Sequence, residues 1–203
     1  MANNKLVNYL NKYKKKSKLS IASDIVFVVF IILLIIPTTR IEVASFFIRL
    51  TSFSPSELEA DEQFTLTEGD KLWQVVDMQG NTLSLNDLMN DKPVFINFWA
   101  TWCPPCVAEM PGIDDLYQKY GDRVSFVIAT TEPASIVNAF AEKRQFNSLP
   151  FYRYRSVPRV FQTESIPATF LVSKSGRVVL SKKGAARWNS DGMNQIIDQL
   201  LAE

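Results

Sequence analysis

Both cysteines of this 203-residue chain fall in one stretch, Asn97-Phe98-Trp99-Ala100-Thr101-Trp102-Cys103-Pro104-Pro105-Cys106. An apolar run, Pro93 to Phe98, leads into it and reads as a central strand buried on both faces. Beyond it Val107, Met110, Ile113, Leu116, Tyr117 and Tyr120 recur at helical spacing, so the cysteines mark a passage from strand to helix. Thiols separated by two residues can close into a small disulfide ring and open again. The simplest reading is a redox centre; a static disulfide or two inert core thiols are the alternatives.

The chain has no histidine, which removes His-dependent triads, His metal sites and His-ligated haem. Two cysteines alone cannot build a four-ligand zinc site, so no metal is expected. With 47% hydrophobic and 21% charged residues, the composition suits one globular domain plus a non-globular segment. The formal net charge of +1 hides an asymmetry. Lys5, Lys12, Lys14, Lys15, Lys16 and Lys18 precede residue 24 with no acid among them. From residue 51 onward 14 Lys and Arg face 19 Asp and Glu, a net charge of −5. That part lacks the clustered basic face that nucleic acids require, so no nucleic-acid partner is expected.

A membrane explains the basic tail better. Ile25 to Ile36 is an unbroken apolar run, covering about 18 Å as helix against a hydrocarbon core of about 30 Å. Leu19 to Asp24 on one side and Pro37 to Thr39 on the other supply the missing length. A cleaved signal peptide also fits a short apolar core, but no clean small-x-small site follows it. The lysines predict a cytoplasmic N-terminus and a translocated C-terminal domain. The expected organisation is a cytoplasmic basic tail over residues 1–18 and a transmembrane anchor over 19–39. An interfacial amphipathic helix and linker then cover 40–63, before a globular domain over 64–203. Within 40–63, Glu42, Ser45, Arg49 and Ser52 form one polar stripe, and the other face carries Ile41, Val43, Phe46, Phe47, Ile48, Leu50 and Phe53. Such a helix suits the membrane interface; continuing the anchor or packing on the domain is the alternative. Ser52 to Gln63 is polar and acidic and reads as linker.

In the globular part, strands are expected at Leu72–Val76, Pro93–Phe98, Val124–Ala129 and Phe151–Tyr154, with Gly80-Asn81 a turn signal before Thr82-Leu83. Ala168–Val172 and Arg177–Leu180 form a hairpin about Lys174-Ser175-Gly176. Helices are expected through Leu88 and Met89, from Pro104 to Gly121 with Pro111 inside, over Pro133–Phe146, and after Asn189 or Ser190. This order packs as an α/β domain, a mixed sheet with helices on both faces.

With these residues in view the globular part resembles thioredoxin-fold proteins, and more narrowly the membrane-tethered TlpA/ResA-like thiol-disulfide oxidoreductases. The likeness rests on the ten residues above, on Glu109-Met110-Pro111, and on Ser165-Ile166-Pro167-Ala168-Thr169-Phe170 before the hairpin. It implies a cis Pro167 that presents the Ile166 backbone to a substrate strand beside the sulfurs. It also implies an acid at Glu109, near the buried cysteine, that relays protons; a solvated glutamate in an early helical turn is the alternative. Asn97 departs from thioredoxin, which has a buried aspartate there, so proton transfer through that position is ruled out and Glu109 becomes its substitute. The length of Thr131–Glu164 implies an extra strand-helix insertion.

The residues carry their own chemistry beside the likeness. Cys103 at a helix N-terminus meets unpaired N–H groups and the positive end of the dipole, which suits the attacking thiolate. Cys106, one turn deeper, is the resolving thiol. Trp102 flanks the disulfide as an apolar surface, and Trp99 reads as a core aromatic. The expected function is a thiol-disulfide oxidoreductase that needs no cofactor beyond the Cys103–Cys106 disulfide. It would be single-pass in the cytoplasmic membrane and reduce extracytoplasmic proteins, with the lipid bilayer and a membrane electron-donor protein as partners. The resemblance suggests apocytochrome cysteines as substrates. An oxidant, or a non-catalytic binding module on the same fold, is the rival; a copper chaperone would want a histidine.

Overall fold

The computed structural model describes residues 17–203, apart from the side chains of residues 34, 37 and 38. All of the expected basic tail but Ser17 and Lys18 therefore lies outside the described residues. By its contacts the chain divides between Val43 and Ala44 into two compact units.

The first unit holds the residues of the expected span, 19–39, in two helices. Helix α1 covers Lys18–Ile35, and α2 begins afresh at Pro37, running Pro37–Thr51. Between them Ile36 is extended, with ψ 119°. The cause is local: a proline lacks an N–H and pushes the residue before it out of the helical region. The Thr39 hydroxyl donates to the carbonyls of Leu33 and Ile36 at this junction. The 18 residues of α1 reach about 27 Å at 1.5 Å per residue. Among the described residues no helix is long and apolar enough to cross a membrane.

The second unit holds the sheet. Its elements are β1 (Phe64–Thr65), α3 (Glu68–Lys71), β2 (Gln74–Asp77), β3 (Thr82–Ser84), α4 (Leu85–Met89) and β4 (Val94–Phe98). There follow α5 (Pro104–Tyr120), β5 (Ser125–Thr130), α6 (Ala134–Arg144), β6 (Phe151–Arg153), a 3-10 turn at Arg159–Phe161, β7 (Ala168–Val172), β8 (Arg177–Lys183) and α7 (Asp191–Ala202). Strand order is β1-β8-β7-β4-β5-β6-β2-β3, parallel between β4, β5 and β6 and antiparallel elsewhere, which is the mixed sheet expected. β1, α3 and the 3-10 turn are too short to carry a periodicity and were not foreseen. Ser84 caps α4 in a reciprocal box with Asp87, and Ser190 caps α7. The stretch Thr131–Glu164 holds α6, β6 and the 3-10 turn.

β4 lies in the middle and is buried at every residue. Successive side chains on a strand point to opposite faces. Val94, Ile96 and Phe98 therefore enter the core with Trp73, Phe161 and Phe170, while Phe95 enters the other core with Met110, Ile113, Leu116 and Trp188. Asn97 shares the face of Phe95, the one that α5 covers. The expected linker has no helix or strand over residues 52–63, yet it is tied down. Leu58 N donates to Val179 O, and Phe53 O accepts from Arg187 N.

Candidate active site

The first turn of α5 places the sulfurs. Cys103 is the N-cap, and Pro104 and Pro105 fill the next two positions. Prolines carry no N–H, so two of the four donors that a helix start leaves unpaired are absent. Of the remaining two, Cys103 N donates to Ala100 O at 3.2 Å and Cys106 N donates to Cys103 Sγ at 3.3 Å. The sequence thus points a single backbone donor at Cys103 Sγ. The two cysteines form a disulfide with their Cα atoms 5.3 Å apart, and Cys103 is 4% exposed against 0% for Cys106. The outer sulfur is the one a partner can reach.

Two loops complete the rim. The Ile166–Pro167 peptide is cis, and Ile166 O lies 3.8 Å from Cys103 Sγ. Pro167 O is held by Gly184 N at 2.8 Å, which fixes the loop to the end of β8. Trp102 stands 64% exposed immediately before Cys103. Trp99 is buried against Phe140 and Phe151, a core aromatic. The Glu132 carboxylate, just after β5, accepts from both Thr101 N (2.6 Å) and Thr101 Oγ1 (2.7 Å). This pins the loop that presents Trp102 and Cys103.

Glu109 is buried, not solvated, one turn beyond Cys106. Its Oε1 accepts from Asn97 Nδ2 at 2.8 Å, and its Oε2 accepts from Trp188 Nε1 at 2.9 Å and Ala186 N at 3.2 Å. All three donors are neutral. Burial dominates and lifts the carboxyl from 4.5 to about 7, against the lowering pull of the hydrogen bonds from Trp188, Asn97 and Ala186. Asn97 also donates to Thr169 Oγ1 at 2.8 Å, while its own Oδ1 is buried with no partner. That arrangement matches an ionised Glu109. Turning the amide over would let Oδ1 accept the O–H of a protonated Glu109, so the pair can follow a proton.

The structure brings Ile166, and with it Pro167, to the Cys103–Cys106 disulfide, leaves Trp102 exposed next to Cys103, and buries Glu109 one turn of α5 beyond Cys106. Thr169, Trp188 and Glu132 are contacts of the site that the sequence reading did not single out, and Asn97, which it excluded from proton transfer, is a donor to Glu109. Asn97 and Thr169 left a signal, each a polar residue inside an otherwise apolar strand, and they face each other across β4 and β7. Trp188 and Glu132 left none, because only the folded chain carries them to Glu109 and Thr101. Among the described residues no cluster of His, Cys, Asp and Glu could hold a metal ion.

Comparison with known proteins adds a lineage. The Redoxin family model matches residues 65–197. The thiol-disulfide oxidoreductase ResA of Bacillus cereus (strain ZK / E33L) is 33% identical over 108 residues, covering 52% of this chain and 62% of that protein. ResA of Geobacillus kaustophilus (strain HTA426) is 35% identical over 107 residues, 51% of this chain and 61% of that protein. The match thus spans less than two thirds of either relative. Among solved structures, the exposed lipoprotein thioredoxin Etrx1 of Streptococcus pneumoniae strain TIGR4 superposes with a TM-score of 0.53 at 21% identity, over 63% of this chain and 98% of that one. At that identity the likeness establishes the thioredoxin-like fold.

Proposed function

The chain belongs to the Redoxin family, and from its site we propose a thiol-disulfide oxidoreductase that exchanges electrons with protein thiols and disulfides. The observation that carries this is the disulfide at the start of α5, its outer sulfur facing a backbone donor and the Ile166 carbonyl. The ResA relatives, themselves named thiol-disulfide oxidoreductases, support the same class.

As a reductant, the reduced enzyme attacks with Cys103 thiolate on one sulfur of a substrate disulfide. The other substrate sulfur leaves and takes a proton. Cys106 then gives its proton to the Glu109 carboxylate and attacks Cys103 Sγ. The second substrate sulfur leaves and is protonated from water, and the Cys103–Cys106 bond closes. Two electrons pass to the substrate, and a dithiol of a membrane electron-donor protein returns them. Trp102 and the Ile166–Pro167 backbone form the surface on which the substrate strand lies, with apocytochrome cysteines among its candidate sources.

We place the domain outside the cytoplasmic membrane, with the lysine-rich N-terminus inside. The lysine cluster ahead of an apolar helix supports this. So does α2, whose Ser45 hydroxyl donates to Pro104 O (2.8 Å) and whose Arg49 Nε donates to Ala108 O (3.3 Å). Its polar stripe therefore faces the protein, and Phe46, Phe47 and Leu50 are left exposed for a lipid surface.

The test is chemical trapping. Cys106→Ser should accumulate a mixed disulfide through Cys103, resolvable by dithiothreitol, and Cys103→Ser should not. A Cys106→Ser protein that captures no disulfide partner in extracytoplasmic extracts leaves the binding-module reading in its place. The reduction potential then decides direction, near about −270 mV for a reductant and about −120 mV for an oxidant.

A further inference from the structure

A cavity of about 330 Å³ lies beside Glu109. Ala108, Glu109 and Gly112 of α5, with Ala186, line it from the protein side. Arg49 and Ser52 wall it on the side of α2, and Asp115, Arg187 and Asn189 stand at the opening. Arg49, Asp115, Arg187 and Asn189 are exposed, while Glu109 is buried. The cavity thus runs from solvent to the segment of α5 that carries the buried carboxyl group.

The two oxygens of Glu109 face different ways. Oε1 is closed in by Asn97 and, behind it, Thr169, both buried under the sheet. Oε2 binds Trp188 Nε1 and Ala186 N, on the side where Ala186 lines the cavity. A proton taken from Cys106 must leave before the next turnover, and on the sheet side Glu109 meets only neutral, buried groups. The charged groups facing the site are Arg49 from α2, Arg187 from the loop before α7, and Asp115 from α5 itself.

We propose that this cavity is the path by which Glu109 exchanges its proton with solvent in each redox cycle, with Arg49 and Arg187 as positioning residues at its mouth. The proposal rests on the role of Glu109 given above. On oxidation, Cys106 hands its proton to the carboxylate, and the carboxyl group releases it to water in the cavity. On reduction by a dithiol the sequence reverses, and the leaving Cys106 thiolate draws the proton back from Glu109. The outer wall does not drift, because Ser45 and Arg49 fasten α2 to carbonyls of the helix that carries both cysteines. The helix preceding the redox domain is then part of its proton chemistry.

The experiment uses the full chain and two substitutions outside the sulfur site. Ser52→Trp fills the wall, and exchange of the Trp188 indole N–H, which is donated to Glu109 Oε2, is followed by NMR. Exchange should slow by about tenfold while amides of β4 exchange as before. Arg49→Glu should raise the pH midpoint of disulfide reduction by dithiothreitol by about half a unit, because an anion at the mouth disfavours the carboxylate. Unchanged indole exchange in folded Ser52→Trp, together with an unmoved midpoint in Arg49→Glu, overturns the path. If Ser52→Trp does not fold, the Arg49→Glu midpoint decides alone. Glu109→Gln separates the two ideas. A pH profile that it leaves untouched removes Glu109 from the reaction and the path with it, while an altered profile beside unchanged exchange and midpoint removes the path only.

Discussion

Glu109 holds its proton across a pH range in which an unfolded chain has released it. The folded carboxyl titrates at about 7 and the free one at 4.5. Below pH 4.5 both states are protonated and the stabilisation is complete. As pH rises through the folded value it is lost, up to about 3 kcal/mol for this one group. Urea midpoints of the oxidised protein should accordingly fall between pH 5 and pH 8. Glu109→Gln should flatten that slope, since a neutral amide has nothing to titrate and a turned Asn97 can accept its N–H. A slope that persists in the variant would assign the effect elsewhere. The prolines of the ring make a second residue-level case. Pro105→Ala adds an N–H at a position from which helix N-caps are commonly bonded. One further donor of about 1 kcal/mol stabilises the reduced thiolate and should raise the reduction potential by about 20 mV, measured against glutathione.

At the scale of elements, periodicity located stripes but did not orient them. The polar stripe of α2 was legible in Glu42, Ser45, Arg49 and Ser52, and an interfacial helix would ordinarily turn such a stripe to water. Here Ser45 is 3% exposed and bonds Pro104 O. Ser45→Ala should cost about 1 kcal/mol at that contact and speed amide exchange across α2, with β4 amides as the internal control. The break at Pro37 was equally local, since Ile36 before a proline is biased towards extended backbone. By contrast α5, β4, β5, the hairpin and α7 were legible to within a few residues, because each carries an unbroken pattern bounded by a cap, a glycine or a proline.

For the whole molecule, α2 carries the chain across the boundary between the two units, which falls between Val43 and Ala44. The full chain should float with anionic phospholipid vesicles, and Phe46→Asp with Leu50→Asp should weaken flotation without altering thermal unfolding of the domain. Retained flotation would assign attachment to α1 alone.

The redox pair, the strand and helix on either side of it, the mixed α/β class and the lack of any histidine are all legible along the chain. These are properties of neighbouring residues, set by spacing, caps and propensity. Only the tertiary structure decided that Ile166 O meets Cys103 Sγ, that Asn97, Trp188 and Ala186 close around Glu109, and that α2 turns its polar face to α5. Those contacts join residues up to 79 positions apart. They exist because sheet order brings β7 beside β4 and packs the loop after β8 against α5, and burial then sets the charge state of whatever lies between.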